Sequence, residues 1–256
     1  MKNRFNPESF YLPEFFIFEL KKMASHLYLL PSLMGDTAAE DVLPEKNIAL
    51  IKTLKHFIVE DLRSARRFLK TVDKSIEIDE LTFYLLNEHT TPEEASRLIK
   101  PLLKGNDVGL MSDAGCPGVA DPGADVVALA HEKNITVVPL VGPSSILMSV
   151  MAAGMNGQNF SFVGYLPVKP HEKQNRLKEL ERRIMQENQS QVFIEAPYRN
   201  MKLAEDLLRM CSPDLRLCIA VDISTPQEFI KTKRITEWKS KLPDMHKKPA
   251  IFVLGK

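Results

Sequence analysis

The sequence is short of cysteine, of paired histidines and of net charge, and each shortage excludes a class of protein. Its 256 residues contain three cysteines, Cys116, Cys211 and Cys218, with no CxxC pair. This usage argues against a disulfide-stabilised secreted domain and favours a reducing, cytoplasmic compartment. The six histidines are scattered without metal-ligand spacing, so we predict no metal site. A net charge of +1 gives no global attraction to nucleic acid or to an anionic membrane.

Motifs of several enzyme classes are also absent. The chain has no GxGxxG dinucleotide fingerprint, no GxxxxGK[ST] phosphate loop and no GxSxG nucleophile elbow. The uncharged stretch 135–155 is long enough for a membrane span, but Pro139, Gly142 and Pro143 interrupt it. We therefore interpret it as a buried strand, a loop and a buried helix, and we expect no membrane partner.

Short apolar runs alternate with helical patterns over the first part of the chain, which predicts a parallel sheet. The predicted strands there are 26–30, 56–59, 82–86, 108–111 and 135–138. After the linker 154–159, fewer helices separate the predicted strands 160–165, 191–194, 215–221, 227–231 and 250–254. We therefore predict an α/β fold with a parallel five-stranded N-terminal sheet and a mixed C-terminal sheet.

The sequence pattern also predicts an N-terminal segment followed by two domains. Glu14 and Glu19 interrupt the apolar residues at the start, so this segment is not a signal peptide. We predict an N-terminal extension and two α/β domains with a cleft between them, at residues 1–24, 25–155 and 156–256.

Local signals predict two helices of the first domain. Residues 43–54 have a helical apolar pattern. Thr91 and Glu94 form a capping-box pattern around Pro92, which suits the first position of a helix. We expect that second helix to end near Gly105.

Polar and glycine-containing clusters follow each strand of the parallel sheet, where α/β proteins bind ligands. The most distinctive is the loop 112–123, with three glycines, two prolines and two aspartates. A tight turn before a helix is the simpler interpretation, but the loop is longer than a turn requires. Few cations accompany these clusters, so a cationic, adenosine-bearing ligand fits better than a polyphosphate. Cys116 is a nucleophile candidate only with a histidine base beside it.

Ser112 to Pro117, followed by Ala120 to Gly123, resembles the SDAGTP…DPG signature of the tetrapyrrole methylase superfamily. The match is to the branch that methylates a cytidine ribose 2′-hydroxyl in small-subunit ribosomal RNA. Similar stretches follow the family order at residues 31–36, 60–63, 87–88, 138–145 and 195–199. The resemblance covers roughly residues 26–256.

This resemblance implies S-adenosylmethionine as methyl donor, held between two domains of an enzyme that is usually a homodimer. It also implies ribosomal RNA or the small ribosomal subunit as partner. The donor-binding residues that it implies are Pro31, Asp113, Gly115, Cys116, Pro117, Val119, Ser144, Ser145, Glu195 and Ala196.

A ribose hydroxyl is a poor nucleophile, so a base or hydrogen-bond acceptor should assist it. The candidates are Glu60, Asp61, Glu88 and Glu195, of which we favour Asp61 and Glu88. The alternatives are a helix cap for Asp61 and a surface turn for Glu88. We also expect Arg63 and Arg199 to hold RNA phosphates. Salt bridges to neighbouring acids are their alternative roles.

The sequence departs from the family pattern mainly on the acceptor side. Leu86 stands where the family has histidine, Ala196 where it has serine, and Cys116 where it has threonine. Lys247-Lys248-Pro249 stands where it has KGE. Two alternatives to an RNA methyltransferase therefore stay open. One is methylation of a tetrapyrrole or other small molecule, and the other is a donor- or RNA-binding homologue without turnover.

Overall fold

Two five-stranded sheets form the framework of the computed structural model, which describes residues 25–87, 90–238 and 241–256. The first sheet contains β1 His26–Leu30, β2 His56–Val59, β3 Thr82–Leu85, β4 Val108–Met111 and β5 Thr136–Pro139. The second contains β6 Phe160–Tyr165, β7 Ser190–Ile194, β8 Arg216–Val221, β9 Phe229–Arg234 and β10 Ala250–Gly255. The predicted α/β fold with two sheets is confirmed. The predicted extension, residues 1–24, lies outside the described residues.

Helices connect and cover these strands. Those packed on the first sheet are α1 Ala39–Val42, α2 Glu45–Ile51, α3 Leu62–Val72, α4 Pro92–Leu98, α5 Lys100–Leu103 and α6 Gly123–Glu132. The later ones are α7 Ser145–Ala153, α8 Pro170–Glu187, α9 Asn200–Met210 and α10 Ile235–Trp238, with 3₁₀ turns at Ile78–Glu80 and Pro197–Arg199. Among the helices described here, none is long and apolar enough to cross a bilayer.

The first sheet is parallel throughout, with strand order β3-β2-β4-β1-β5. Its inner strands are almost continuously apolar because helices cover both faces. One face packs against α4, α5 and α6, and the other packs against α1, α2 and α3. Since every pair is parallel, the carboxyl ends of the five strands lie along one edge.

The second sheet is mixed, as predicted, with strand order β6-β7-β10-β8-β9. β6 and β7 are parallel, and the other neighbours are antiparallel. α8 and α9 pack on one face. α7 packs on the opposite face, where Ala153 lies in one apolar cluster with Val192 and Val253. A helix assigned to the first domain thus contributes to the core of the second sheet, and the domain limits 25–155 and 156–256 stay a prediction.

Two predicted helices are wrong in extent, and a proline accounts for each. The helix predicted over 43–54 is present as the shorter α2, which begins only after Pro44, its cap, and ends at Ile51. The helix predicted to run from Pro92 to Gly105 is divided into α4 and α5 at Ile99, with Pro101 in the first turn of α5. The capping box is confirmed, since the amide of Glu94 donates to the Thr91 hydroxyl (3.3 Å).

A buried ion pair holds α8 and α9 together on the second sheet. Nζ of Lys173 lies 2.9 Å from Oδ2 of Asp206, and each side chain is 6% exposed. We expect Asp206→Ala to lower the free energy of unfolding by about 3–5 kcal/mol, because it leaves the Lys173 charge buried without its partner. The matched control is Glu205→Ala on the same helix, whose side chain is 60% exposed. Its effect in urea unfolding should stay below about 1 kcal/mol, and equal effects of the two changes would contradict this account.

Candidate active site between the two sheets

A cavity of about 370 Å³ lies where the carboxyl ends of the parallel strands meet the second sheet. From the first sheet it is lined by residues that follow β2 and β4, including Glu60 and Asp113, and by Ser145 at the start of α7. From the second sheet it is lined by Tyr165, Glu195 and the first residues of β10. The predicted cleft therefore exists, and both sheets contribute to it.

The loop between β4 and α6 forms one wall of this cavity and is fixed by hydrogen bonds. Gly115 and Ser32 pair through their backbones, with N···O distances of 2.8 and 3.2 Å. The carboxylate of Asp121 accepts from the amides of Gly118 (2.8 Å) and Gly123 (2.6 Å). Gly118 has φ +79°, and a Cβ there would meet no atom within 4 Å. The loop is thus rigid and brings bare backbone to an open space.

Acidic side chains dominate the electrostatics of the cavity. The amide of Asp113 donates to Oε1 of Glu60 (3.2 Å). Burial is the main cause that raises the pKa of Glu60 to about 7, and the negative charges of Asp121 and Asp113 add to the rise. The hydrogen bond from the Asp113 amide acts in the opposite direction and lowers this pKa. Burial and the charge of Asp61 also raise the pKa of Asp113. A cation bound here would therefore be stabilised by nearby carboxylates.

Of the two bases favoured from the sequence, Asp61 is not among the residues that line this cavity. Asp61 is exposed and caps α3, since its Oδ1 accepts from the amide of Ser64 (2.7 Å). That hydrogen bond holds the pKa of Asp61 below its ordinary value. Glu88 lies outside the described residues. Glu60, directly after β2, is the less favoured candidate that the structure places against the cavity.

Glu195 and Arg199 form an ion pair at the rim. Nε and Nη2 of Arg199 lie 2.9 and 2.6 Å from Oε1 of Glu195, whose side chain is 2% exposed. The amide of Ala196 donates to the same oxygen (2.8 Å). The guanidinium also lies over the ring of Tyr198, 5.1 Å from its centroid. The salt-bridge alternative for Arg199 is therefore observed, and Arg63 is exposed on α3 away from this cavity.

The donor-binding residues implied by the family resemblance fall into three groups. Those that line the cavity between the sheets are Asp113, Val119, Ser145 and Glu195. Those that line a second, apolar cavity of about 410 Å³ on another side of the loop are Pro31, Cys116, Pro117 and again Val119. The other three residues stabilise the backbone around the cavities. Gly115 pairs with Ser32, the Ser144 side chain caps α7, and the Ala196 amide donates to the Glu195 carboxylate.

Cys116 is not placed as a nucleophile. Burial raises the pKa of its thiol, although a hydrogen bond with Ser144 opposes the rise. Its Sγ lies 3.4 Å from the carbonyl oxygen of Pro143. Within the described ranges, no three histidine, cysteine, aspartate or glutamate side chains are grouped to hold a metal ion.

The sequence matches the family model of the Tetrapyrrole (Corrin/Porphyrin) Methylases over residues 37–238. Among curated relatives, the Ribosomal RNA small subunit methyltransferase I of Vibrio cholerae is 26% identical over 82% of this chain and 69% of its own length. The protein of the same name from Pseudomonas aeruginosa is 33% identical over 59% of this chain and 52% of its own length. The chain thus spans between half and about two thirds of the length of these relatives.

Solved structures share the fold at low sequence identity. The methyltransferase CobJ superposes with a TM-score of 0.60 at 18% identity, covering 91% of this chain and 93% of its own. A uroporphyrin-III C-methyltransferase from Thermus thermophilus, complexed with S-adenyl homocysteine, superposes with a TM-score of 0.56 at 18% identity, covering 91% and 98%. The family match extends over most of the chain and includes the β4–α6 loop and most of the residues that line the cavity described above. The chain therefore belongs to the tetrapyrrole (corrin/porphyrin) methylase family and is a methyltransferase of that family.

Proposed function

We propose that this methyltransferase transfers a methyl group from S-adenosylmethionine to the 2′-hydroxyl of a cytidine ribose in small-subunit ribosomal RNA. The observation that carries the proposal is the acid-lined cavity between the two sheets, bordered by the rigid β4–α6 loop. The relatives named Ribosomal RNA small subunit methyltransferase I support the RNA acceptor. The likeness of the loops to that branch supports the ribose hydroxyl.

The residues of the cavity suit the donor. When bound, S-adenosylmethionine supplies an electrophilic methyl group on a sulfonium centre. Glu60 and Asp113 present carboxylates that attract its positive charges, and Ile223 and Ile251 present apolar surface to an adenine ring. The volume of about 370 Å³ lies within the range of small-ligand sites, about 300–1,000 Å³. We propose that Asp113, Val119, Ser145 and Glu195 hold the donor.

Glu60 is the base that we propose for the ribose hydroxyl. A general base works best when its pKa lies near the working pH, and Glu60 meets this condition at about 7. Its Oε1 is held by the Asp113 amide, so the carboxylate has a fixed position beside the loop. Glu195 is less suited because Arg199 already neutralises it. Asp61 and Glu88 stay predictions from the sequence.

A small-molecule acceptor is the second candidate. The apolar cavity beside Pro31 and Cys116, of about 410 Å³, offers an apolar surface to the carbon ring of such an acceptor. It adjoins the donor cavity through Val119. Methylation of small ribosomal subunits, measured against methylation of a porphyrinogen, separates the two candidates. A homodimer also stays a prediction from the family resemblance.

Donor binding tests the first part of the proposal. We expect saturable binding of S-adenosylmethionine in calorimetry, weakened about tenfold or more by Asp113→Asn, because an interaction with a charged group contributes about 1.5–3 kcal/mol. The control is Asp125→Asn, an exposed acid on α6 that is not among the cavity residues. A folded wild-type protein that binds no donor, or equal weakening by both changes, would show that the donor site is wrongly assigned.

The pH dependence of the rate tests the base. Glu60 must be ionised to accept a proton. Activity should therefore be low at pH values below about 7 and should rise as the pH increases through that value. Glu60→Gln should lower kcat by about 10²–10⁴-fold and remove this acidic limb. The control is Asp61→Asn, which keeps a side chain able to cap α3 and should leave the pH–rate profile unchanged. Loss of the limb in Asp61→Asn rather than in Glu60→Gln would identify Asp61 as the base.

A further inference from the structure

We infer that the acceptor nucleotide occupies a separate polar cavity between the β1–α1 loop and α3, where Arg67 binds an RNA phosphate. This cavity has a volume of about 610 Å³. The inference rests on the proposed RNA methyltransferase function, because it locates the acceptor of that reaction. It also assigns a role to α3 and Arg67, which neither the sequence motifs nor the donor cavity use.

The position of the cavity is the first argument. Methyl transfer is an in-line displacement, so the acceptor oxygen has to lie next to the donor. The polar cavity shares Met34 and the segment Ser112–Ala114 with the cavity between the sheets. Asp113 therefore borders both spaces, and Glu60 accepts a hydrogen bond from its amide. An acceptor in the polar cavity would reach the donor at the point where the proposed base is held.

The chemistry of the lining is the second argument. Arg67, Asp36 and Asp113 contribute charges to the polar cavity. Ser64 and Thr71 contribute hydroxyl groups. The apolar cavity on the other side of the loop has no charged residue in its lining. A nucleotide carries a phosphate and several hydroxyl groups, and these require hydrogen-bond partners when they leave water. Between the polar and the apolar space, the polar one matches a nucleotide.

The state of Arg67 is the third argument. Its side chain is exposed, and it makes no ion pair or hydrogen bond with any described residue. Two other arginines near the site are already engaged. Arg66 lies over the ring of Phe83 (5.7 Å), and Arg199 is bound to Glu195. An unpaired guanidinium beside a polar cavity can bind a phosphate with two parallel hydrogen bonds.

Arg63 extends this basic surface. It precedes Arg67 by four residues on α3, and residues spaced by four lie on the same side of a helix. A phosphate backbone that passes Arg67 would next meet Arg63. The earlier expectation that Arg63 holds RNA is thereby connected to a defined cavity rather than to the donor site.

Salt-dependent binding of small ribosomal subunits tests the inference, with full-length protein and subunits from cells that lack the modification. A lost phosphate contact lowers the slope of log Kd against log salt by about 0.7–1. We expect this decrease for Arg67→Ala, with an affinity at least about fivefold weaker near 0.1 M salt and unchanged binding of S-adenosylmethionine. Arg67→Lys should restore most of the slope, since it keeps the positive charge. The control is Arg66→Ala, which should behave as wild type.

The outcomes separate this inference from the proposed function. If wild type methylates the subunits and Arg67→Ala has the same slope as Arg66→Ala, the acceptor cavity is wrongly assigned while the function stands. The same conclusion follows if Arg67→Ala weakens the donor as much as the subunit. If wild type binds the donor but methylates a porphyrinogen and no RNA, the proposed function itself is wrong.

Discussion

The candidate site depends on the parallel pairing of β1, β2 and β4. This pairing brings the residues after three strands to one edge, so that Ser32, Glu60 and Asp113 become neighbours although they are distant in sequence. The Ser32–Gly115 bridge and the Asp121 hydrogen bonds then fix the loop against that edge. Backbone pairing therefore determines the position of the site, and side chains determine its charge.

Charge is distributed unevenly between the two sides of the site. On the second sheet, Glu195 is neutralised by Arg199, which is held there by three contacts with neighbouring side chains. On the first sheet, no described residue gives Glu60 or Asp113 a comparable cation, and burial raises the pKa of both. The cavity therefore attracts a cation from one side only. This asymmetry suits a sulfonium donor whose reactive methyl group must point toward one acceptor.

Much of the fold could be predicted from the sequence, because strand signals are local. The strands β1, β2, β4 and β6 have the predicted bounds, since each is an apolar run bordered by polar or turn residues. Helix bounds were less predictable at α2, which begins only after Pro44, and at Pro101, which allowed two short helices in place of one. The packing of α7 on the second sheet depends on contacts between distant residues, and no local pattern indicates them.

The site was predictable in position but not in the role of each acid. Glu60 and Asp61 are adjacent, and the sequence shows two carboxylates at the end of β2. Which of them faces the cavity depends on where α3 begins. Asp61 caps the helix and is thereby directed to the Ser64 amide, and this leaves Glu60 beside the loop. A salt bridge to a neighbouring acid was the alternative role expected for Arg199, and Glu195 is that acid.

The departures from the family pattern bear on whether the protein turns over its substrate. Cys116 replaces threonine, and its Sγ lies 3.4 Å from the carbonyl oxygen of Pro143. Ala196 replaces serine, but its backbone amide is the group that binds Glu195. Leu86 replaces histidine and is buried in the apolar core beneath the first sheet. None of the three removes a carboxylate from the cavity. The arrangement therefore favours an active methyltransferase over a homologue that only binds the donor, and it directs attention to the acceptor side, where Leu86 directly follows β3.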